Sequence, residues 1–441
     1  MDILRAPIQQ LGLSLFRAMR KLRPSGNFLF SPLTASNGFL LIYLGSDGAT
    51  KFELIHALHI EQWSGSERGE IDLEMAFRYV LAGLVKTRAE PSKLSYDDPN
   101  DGRFRVFRIN KIFLDDSIAV LPEYIERIAK LRAEAVLMPF SSRPEEARQL
   151  INRYIREGMN GRVRESFPPE AINKRTQIVL ANGFCFRARW KEPFNPAETI
   201  EGIFRGDDGQ AYQTHYMRGI FNIPFVEDRK MGVIFLEIPY MQNDASLLIF
   251  LPTGKGPLKQ LTQQLTPGVV RDFHHNKRGR LIDLAIPKFA VGSNLDLIAL
   301  FRVLGVKSLF GDRADLNRMI SSPEGFSVAL SAARHCGYFN ISENGTDADE
   351  SVREPGGSNR GHLPLSPTGD RKSSFDARSL SELSKSLKER LQVKSSIPGA
   401  FRTETSPIAP PFVVTVNRPF VFAVRHNKSG IMVCLSRIEQ L

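Results

Sequence analysis

The sequence predicts an α+β fold, on three observations. Residues up to about 170 read mainly as helices with a few strands, and from Thr176 the pattern turns to short β-branched or aromatic runs broken by Pro and Gly. Hydrophobic residues make up 42% and charged residues 24% of the 441, the composition of a globular chain with ample core.

The opening MDILRAPIQQLGLSLFRAMRKL spreads Leu11, Leu13, Leu15, Phe16, Met19 and Leu22 among polar residues, like the face of an amphipathic helix. It shows neither the compact apolar block nor the small-residue cleavage site of a secretory leader. A cytosolic protein is expected, or one exported without a leader. Phe30–Leu44 has helical spacing entered through Ser31-Pro32, a cap followed by proline in the first turn. Arg105–Phe113 alternates like a strand, and Pro122–Val136 and Glu145–Arg156 read as helices. Strands are expected in TQIVLANGFCF, MGVIFLEIPY, ASLLIFLP and LIDLAIPKFAV. Asp296–Leu304 returns to a helix ended by Gly305, and PFVVTVNRPFVFAVRHNKSGIMVCLSRI closes the chain as two or three strands. The apolar stretches are far too short to span a bilayer, so no membrane is expected.

Residues 351–411 stand apart. They hold most of the Ser-Gly-Pro clustering and few large apolar residues, and read as a long exposed, disordered insertion. Leu380, Leu383, Leu387 and Leu391 recur there at helical spacing, although a few turns alone are marginal in water.

The net charge is +11, which suits nucleic acid, glycosaminoglycan or an acidic surface. The densest basic run, His274–Arg280, lacks zinc-finger spacing, RNP-type aromatics or basic heptads, so nucleic acid is disfavoured and a glycosaminoglycan is kept as a partner. Cys185, Cys336 and Cys434 sit in apolar segments and read as buried reduced thiols. No G-x-S-x-G, H-E-x-x-H, C-x-x-C or phosphate loop occurs, and Thr253-Gly254-Lys255-Gly256 reads as a turn. The expectation is a protein without catalytic residues, metal or cofactor.

Several dispersed blocks, in order, carry a resemblance. They are NFLFSPLTASNGFLLIYLGSDGAT from Asn27, INRYIREGMNGRVRESFPPE from Ile151, and TQIVLANGFCFRARWKEPF from Thr176. LEIPY, LLIFLP, IPKF, LGVKSLF and VTVNRPFVFAV follow. Tyr154 and Met159 replace the usual Trp and Thr of the second block. The chain resembles the serpin family from about residue 10 to 441, apart from the long loop. The resemblance implies a single domain over 1–441 with three β-sheets, about nine helices and an exposed reactive-centre loop. It also implies inhibition without a catalytic residue. A target serine protease, or less typically a cysteine protease, cleaves the loop and is trapped in a covalent complex. The freed loop then inserts into the central sheet as a new strand. A monomer is expected.

The resemblance also assigns residues. Ser31, Thr34, Asn182 and His335 correspond to a polar cluster under the sheet that lets strands part. Trp190 corresponds to the aromatic where the loop enters. Glu343 and Lys288 match a carboxylate and an ammonium expected to pair there.

The family hinge is matched by Glu343-Asn344-Gly345-Thr346-Asp347-Ala348. Gly345 supplies backbone freedom at the pivot. On insertion Thr346, Ala348 and Glu350 face inward, while Asp347 and Asp349 face solvent. Glu350 is the impediment, because an isolated buried carboxylate costs several kcal/mol. Gly345 to Pro419 spans 74 positions, against roughly 25 for the family pattern. The scissile bond therefore falls near Asn359-Arg360 counted from the hinge, near Ile408-Ala409 counted back from Pro419, or at Arg402. Asn344-Gly345-Thr346 is also a glycosylation sequon, and a sugar there obstructs insertion. Two functions follow: a suicide-substrate protease inhibitor, or a non-inhibitory serpin serving as a binding, carrier or chaperone protein.

Overall fold

A computed structural model describes residues 2–84, 104–159, 161–254, 258–321, 327–347 and 410–441. Six strands form the central sheet, in the order Phe289–Asp296, Leu330–Ser342, Gly345–Thr346, Ile178–Arg189, Arg105–Asp115 and Glu134–Met138. A nine-stranded sheet runs from Phe28–Phe30 through Met432–Ile438, Phe420–His426, Ala245–Pro252, Val233–Pro239, Ala211–Asp228 and Arg278–Pro287 to Phe412–Thr415. Ile200–Arg205 pairs alongside Ala211–Asp228. A two-stranded ribbon joins Ala119–Val120 to Ile320–Ser321. Nine α-helices accompany the sheets among the described residues. Residues 1–349 and 411–441 make up one unit. Ala348, Glu350 and the five candidate scissile-bond residues Asn359, Arg360, Arg402, Ile408 and Ala409 lie outside the described residues, as does nearly all of the 351–411 insertion.

Two cores sandwich the central sheet. The larger lies beneath it, around the helix Pro32–Gly45, which is buried along its whole length. That helix starts where the sequence places its cap: Ser31 Oγ accepts from Thr34 N–H, with Pro32 in the first turn. The smaller core lies on the outer face, where Ile151 and Ile155 of the helix Pro144–Gly158 pack on Ile109, Phe113, Val179 and Cys185. All three cysteines are buried and unpaired.

Several boundaries differ from expectation. The helix expected over Pro122–Val136 ends at Lys130, and the chain reverses through Arg132 at φ 54° into the strand Glu134–Met138. Lys111 of the neighbouring strand pairs with Glu134 at 2.6 Å, so tertiary pairing overrides a helical spacing here. Phe30 belongs to a strand rather than a helix. The expected strand LIDLAIPKFAV is two strands, Arg278–Pro287 and Phe289–Asp296, divided at Lys288.

Candidate functional site at the upper end of the central sheet

The strands Ile178–Arg189 and Leu330–Ser342 are the two central strands. They pair directly and in parallel from Ile178 and Leu330 up to Cys185 and Tyr338. Above that point they part, and the hinge fills the gap. Gly345 and Thr346 pair antiparallel with Ser342 and Ile341 on one side and with Arg189 and Ala188 on the other.

Each hinge residue is held by a specific contact. Glu343 is buried, with Lys288 Nζ at 2.8 Å and the Thr199 hydroxyl donating to its carboxylate at 2.7 Å. Burial pushes the Glu343 carboxyl up, but the hydrogen bonds from Lys288 and Thr199 outweigh it and hold the group below the usual carboxylate range. Phe194 N–H donates to Glu343 C=O and Trp190 N–H to Asn344 C=O, both at 3.0 Å. Trp190 Nε1 donates to Ser342 C=O at 2.9 Å, and its indole stacks on Tyr240 with centroids 4.5 Å apart. Asn344 is exposed at the turn tip.

Gly345 has φ 147°, and a Cβ there would collide with Ala188 C=O, so no other residue fits this pivot. Thr346 is fully buried beneath it, its hydroxyl 2.7 Å from that of Tyr240. Asp347 lies on the opposite face, and in the intact chain it is largely covered. Its carboxylate pairs with Arg162, and both side chains are nearly buried, at 12% and 14% exposed. Arg162 belongs to the loop after the helix Pro144–Gly158, an element that spacing within the hinge cannot reveal.

Lower in the sheet, Ser31, Thr34, Asn182 and His335 come together in one buried cluster. His335 Nε2 accepts from Ser31 N–H at 2.9 Å, and its Nδ1–H donates to Asn182 Oδ1. Asn182 Nδ2 donates to Thr34 C=O at 2.8 Å and to Asn110 Oδ1 at 3.1 Å. Burial drives the His335 imidazolium pKa down to about 3, so the ring is neutral near pH 7. Sequence reasoning missed Asn110 and Asn37. Asn110 stands on the inward phase of an alternating strand, and Asn37 on a helix buried all round; a polar residue in such places is the available signal. Thr34 Oγ1, Asn110 Nδ2 and both amide atoms of Asn37 have no hydrogen-bond partner among the described residues. A network with spare donors and acceptors can exchange partners as strands separate.

A fold of this topology, with the short strand Gly345–Thr346 seated between its central strands, is that of the serpins, and the chain belongs to that family. Its profile, described as Serpin (serine protease inhibitor), matches residues 6–441. Among similar relatives, serine proteinase inhibitor 2.4 of Apodemus sylvaticus is 28% identical over 76% of this chain and 75% of that protein. Leukocyte elastase inhibitor of Sus scrofa is 28% identical over 79% of this chain and 88% of that protein. Among solved structures, uncleaved ovalbumin superposes with a TM-score of 0.77 at 16% identity, covering 99% of this chain and 100% of the other. The mouse protein-Z dependent protease inhibitor gives 0.76 at 21% identity, covering 100% and 97%. These structures share the fold.

Proposed function

We propose that this protein inhibits serine proteases as a suicide substrate, through insertion of its reactive loop into the central sheet. The observation that carries this reading is the pairing of Gly345–Thr346 with both central strands. The inserted strand is already begun, in the antiparallel sense and the correct register, so cleavage of the loop only has to extend it. Relatives named as inhibitors of serine proteinases and of leukocyte elastase support the same reading. The target is a serine protease held in a covalent complex, with cysteine proteases as the second class and a monomeric inhibitor as the working form. Because Asn344 of the sequon is exposed, the activity fits a compartment without N-glycosylation.

The non-inhibitory reading keeps one specific support. Continuing the register from Thr346 opposite Ala188 and Ile341 brings Glu350 opposite Phe184 and Gly337. Beneath Gly337 lie the Phe184 ring and Leu29, an apolar floor for a carboxylate.

The test is incubation with trypsin-like and elastase-like proteases, followed by denaturing electrophoresis. A complex that survives denaturation is expected; clean loop cleavage with full protease activity would sink inhibition and leave the carrier reading. Elution from heparin that shifts steeply with salt is expected if the basic surface takes a glycosaminoglycan, and a flat response removes that partner.

A further inference from the structure

We infer that Arg162 and Asp347 form a latch that arrests the hinge after Thr346 in the uncleaved protein, making Arg162 a positioning residue for loop insertion. The inference rests on the inhibitory reading for its consequence, whereas the latch itself belongs to the intact molecule.

Three observations meet at Asp347. Its φ is 47°, a left-handed conformation that a residue with a Cβ disfavours. The two hinge residues before it are paired on both sides, so the ladder stops where the backbone turns out of the extended region. Its N–H still donates to Asn340 C=O at 2.9 Å, so one edge of the gap holds it in place.

Its carboxylate is gripped from outside the sheet. Arg162 reaches it from the loop following the helix Pro144–Gly158, and the guanidinium carbon also stands 5.3 Å from the centre of the Tyr338 ring. Tyr338 is on one central strand, at the last position where the two strands still pair directly. The arginine therefore sits over the point at which the strands begin to part, holding the residue that must move next. Extending Asp347 into the ladder requires its φ to leave the left-handed region, which re-aims the Cβ carrying the carboxylate that Arg162 holds. Breaking a shielded ion pair costs far more than breaking an exposed one, because the charge left behind is poorly hydrated. The pair thus opposes premature entry, and the gain from a fully inserted strand outweighs it only once cleavage has freed the loop.

The test is amide hydrogen exchange across residues 340–347 in the intact, uncleaved protein, without protease. R162A is expected to speed exchange of the Asp347 amide by about tenfold or more, as for local opening. D347N, which keeps the side-chain shape and tolerates a positive φ, is expected to do the same, and the double variant no more than either alone. R162K should restore part of the protection. Unchanged exchange in R162A, or additive effects in the double variant, would overturn the latch. A parent protein that fails to form protease complexes yet shows this exchange pattern would remove the inhibitory reading and leave the latch standing.

Discussion

The hydroxyls of Tyr240 and Thr346 meet at 2.7 Å in a space that solvent does not reach, under the Trp190 indole stacked on Tyr240. The hinge therefore ends in a slot shaped for a small polar side chain. Thr346→Arg puts a guanidinium into that slot, and the expected result is a hinge expelled from the sheet. The loop is then cut as a plain substrate, so the number of inhibitor molecules consumed per protease inactivated rises steeply. Tyr240→Phe removes one hydrogen bond, worth about 1 kcal/mol, and is expected to weaken inhibition only mildly. Titration of protease activity against inhibitor checks both.

Gly345→Ala is expected to act through the backbone. The added Cβ would collide with Ala188 C=O, at a φ of 147° that alanine resists. The pair of strands cannot close on it, so the amide of Thr346 should lose its exchange protection in the uncleaved protein. Protection equal to the parent's would contradict the close approach at this pivot.

A pH effect follows from His335. Burial lowers its pKa from 6.5 to about 3, so the unfolded chain binds the proton that the folded one refuses. The stability from the neutral ring is complete above pH 6.5 and is lost as pH falls toward 3. The slope is at most about 1.4 kcal/mol per pH unit from this group. His335→Gln, which keeps a donor and an acceptor without a titrating group, is expected to flatten the acid limb of melting temperature against pH. An unchanged acid limb would mean that the carboxylates account for it instead.

Much of the architecture was legible because each level of the sequence agrees with the next. Ser31-Pro32 announces a helix start that the Thr34 N–H confirms, and ASLLIFLP is a strand from its first residue to its last. Trp190, Lys288 and Glu343 are far apart in sequence, and only the order of the family blocks assigns them to one place; the structure brings all three to the hinge. The strand Glu134–Met138 was hidden because helical spacing continues into it, and the deciding partner, Lys111, lies on another strand. Arg162 was hidden for a similar reason. Nothing in a loop arginine says which carboxylate the fold will bring to it.

Glu350 gives the sharpest division between the two functions. Its projected place lies over the Phe184 ring and Leu29, apolar groups against which an ionised carboxylate costs several kcal/mol to bury. Glu350→Ala is expected to increase the gain in melting temperature that follows loop cleavage, and to lower the inhibitor consumed per protease. If neither changes, the inserted strand stops short of this position.

The parallel ladder between the two central strands would set the direction of the proposed insertion. An incoming antiparallel strand separates one pair of partners at each step and supplies a new partner to each of them. One row of cross-strand hydrogen bonds is thereby exchanged for two, and the opened edges are satisfied as fast as they form. Withdrawal would have to give up two rows to recover one. Such an exchange advances easily and reverses with difficulty, so on the proposed inhibitory reading loop insertion would be a single, one-way stroke.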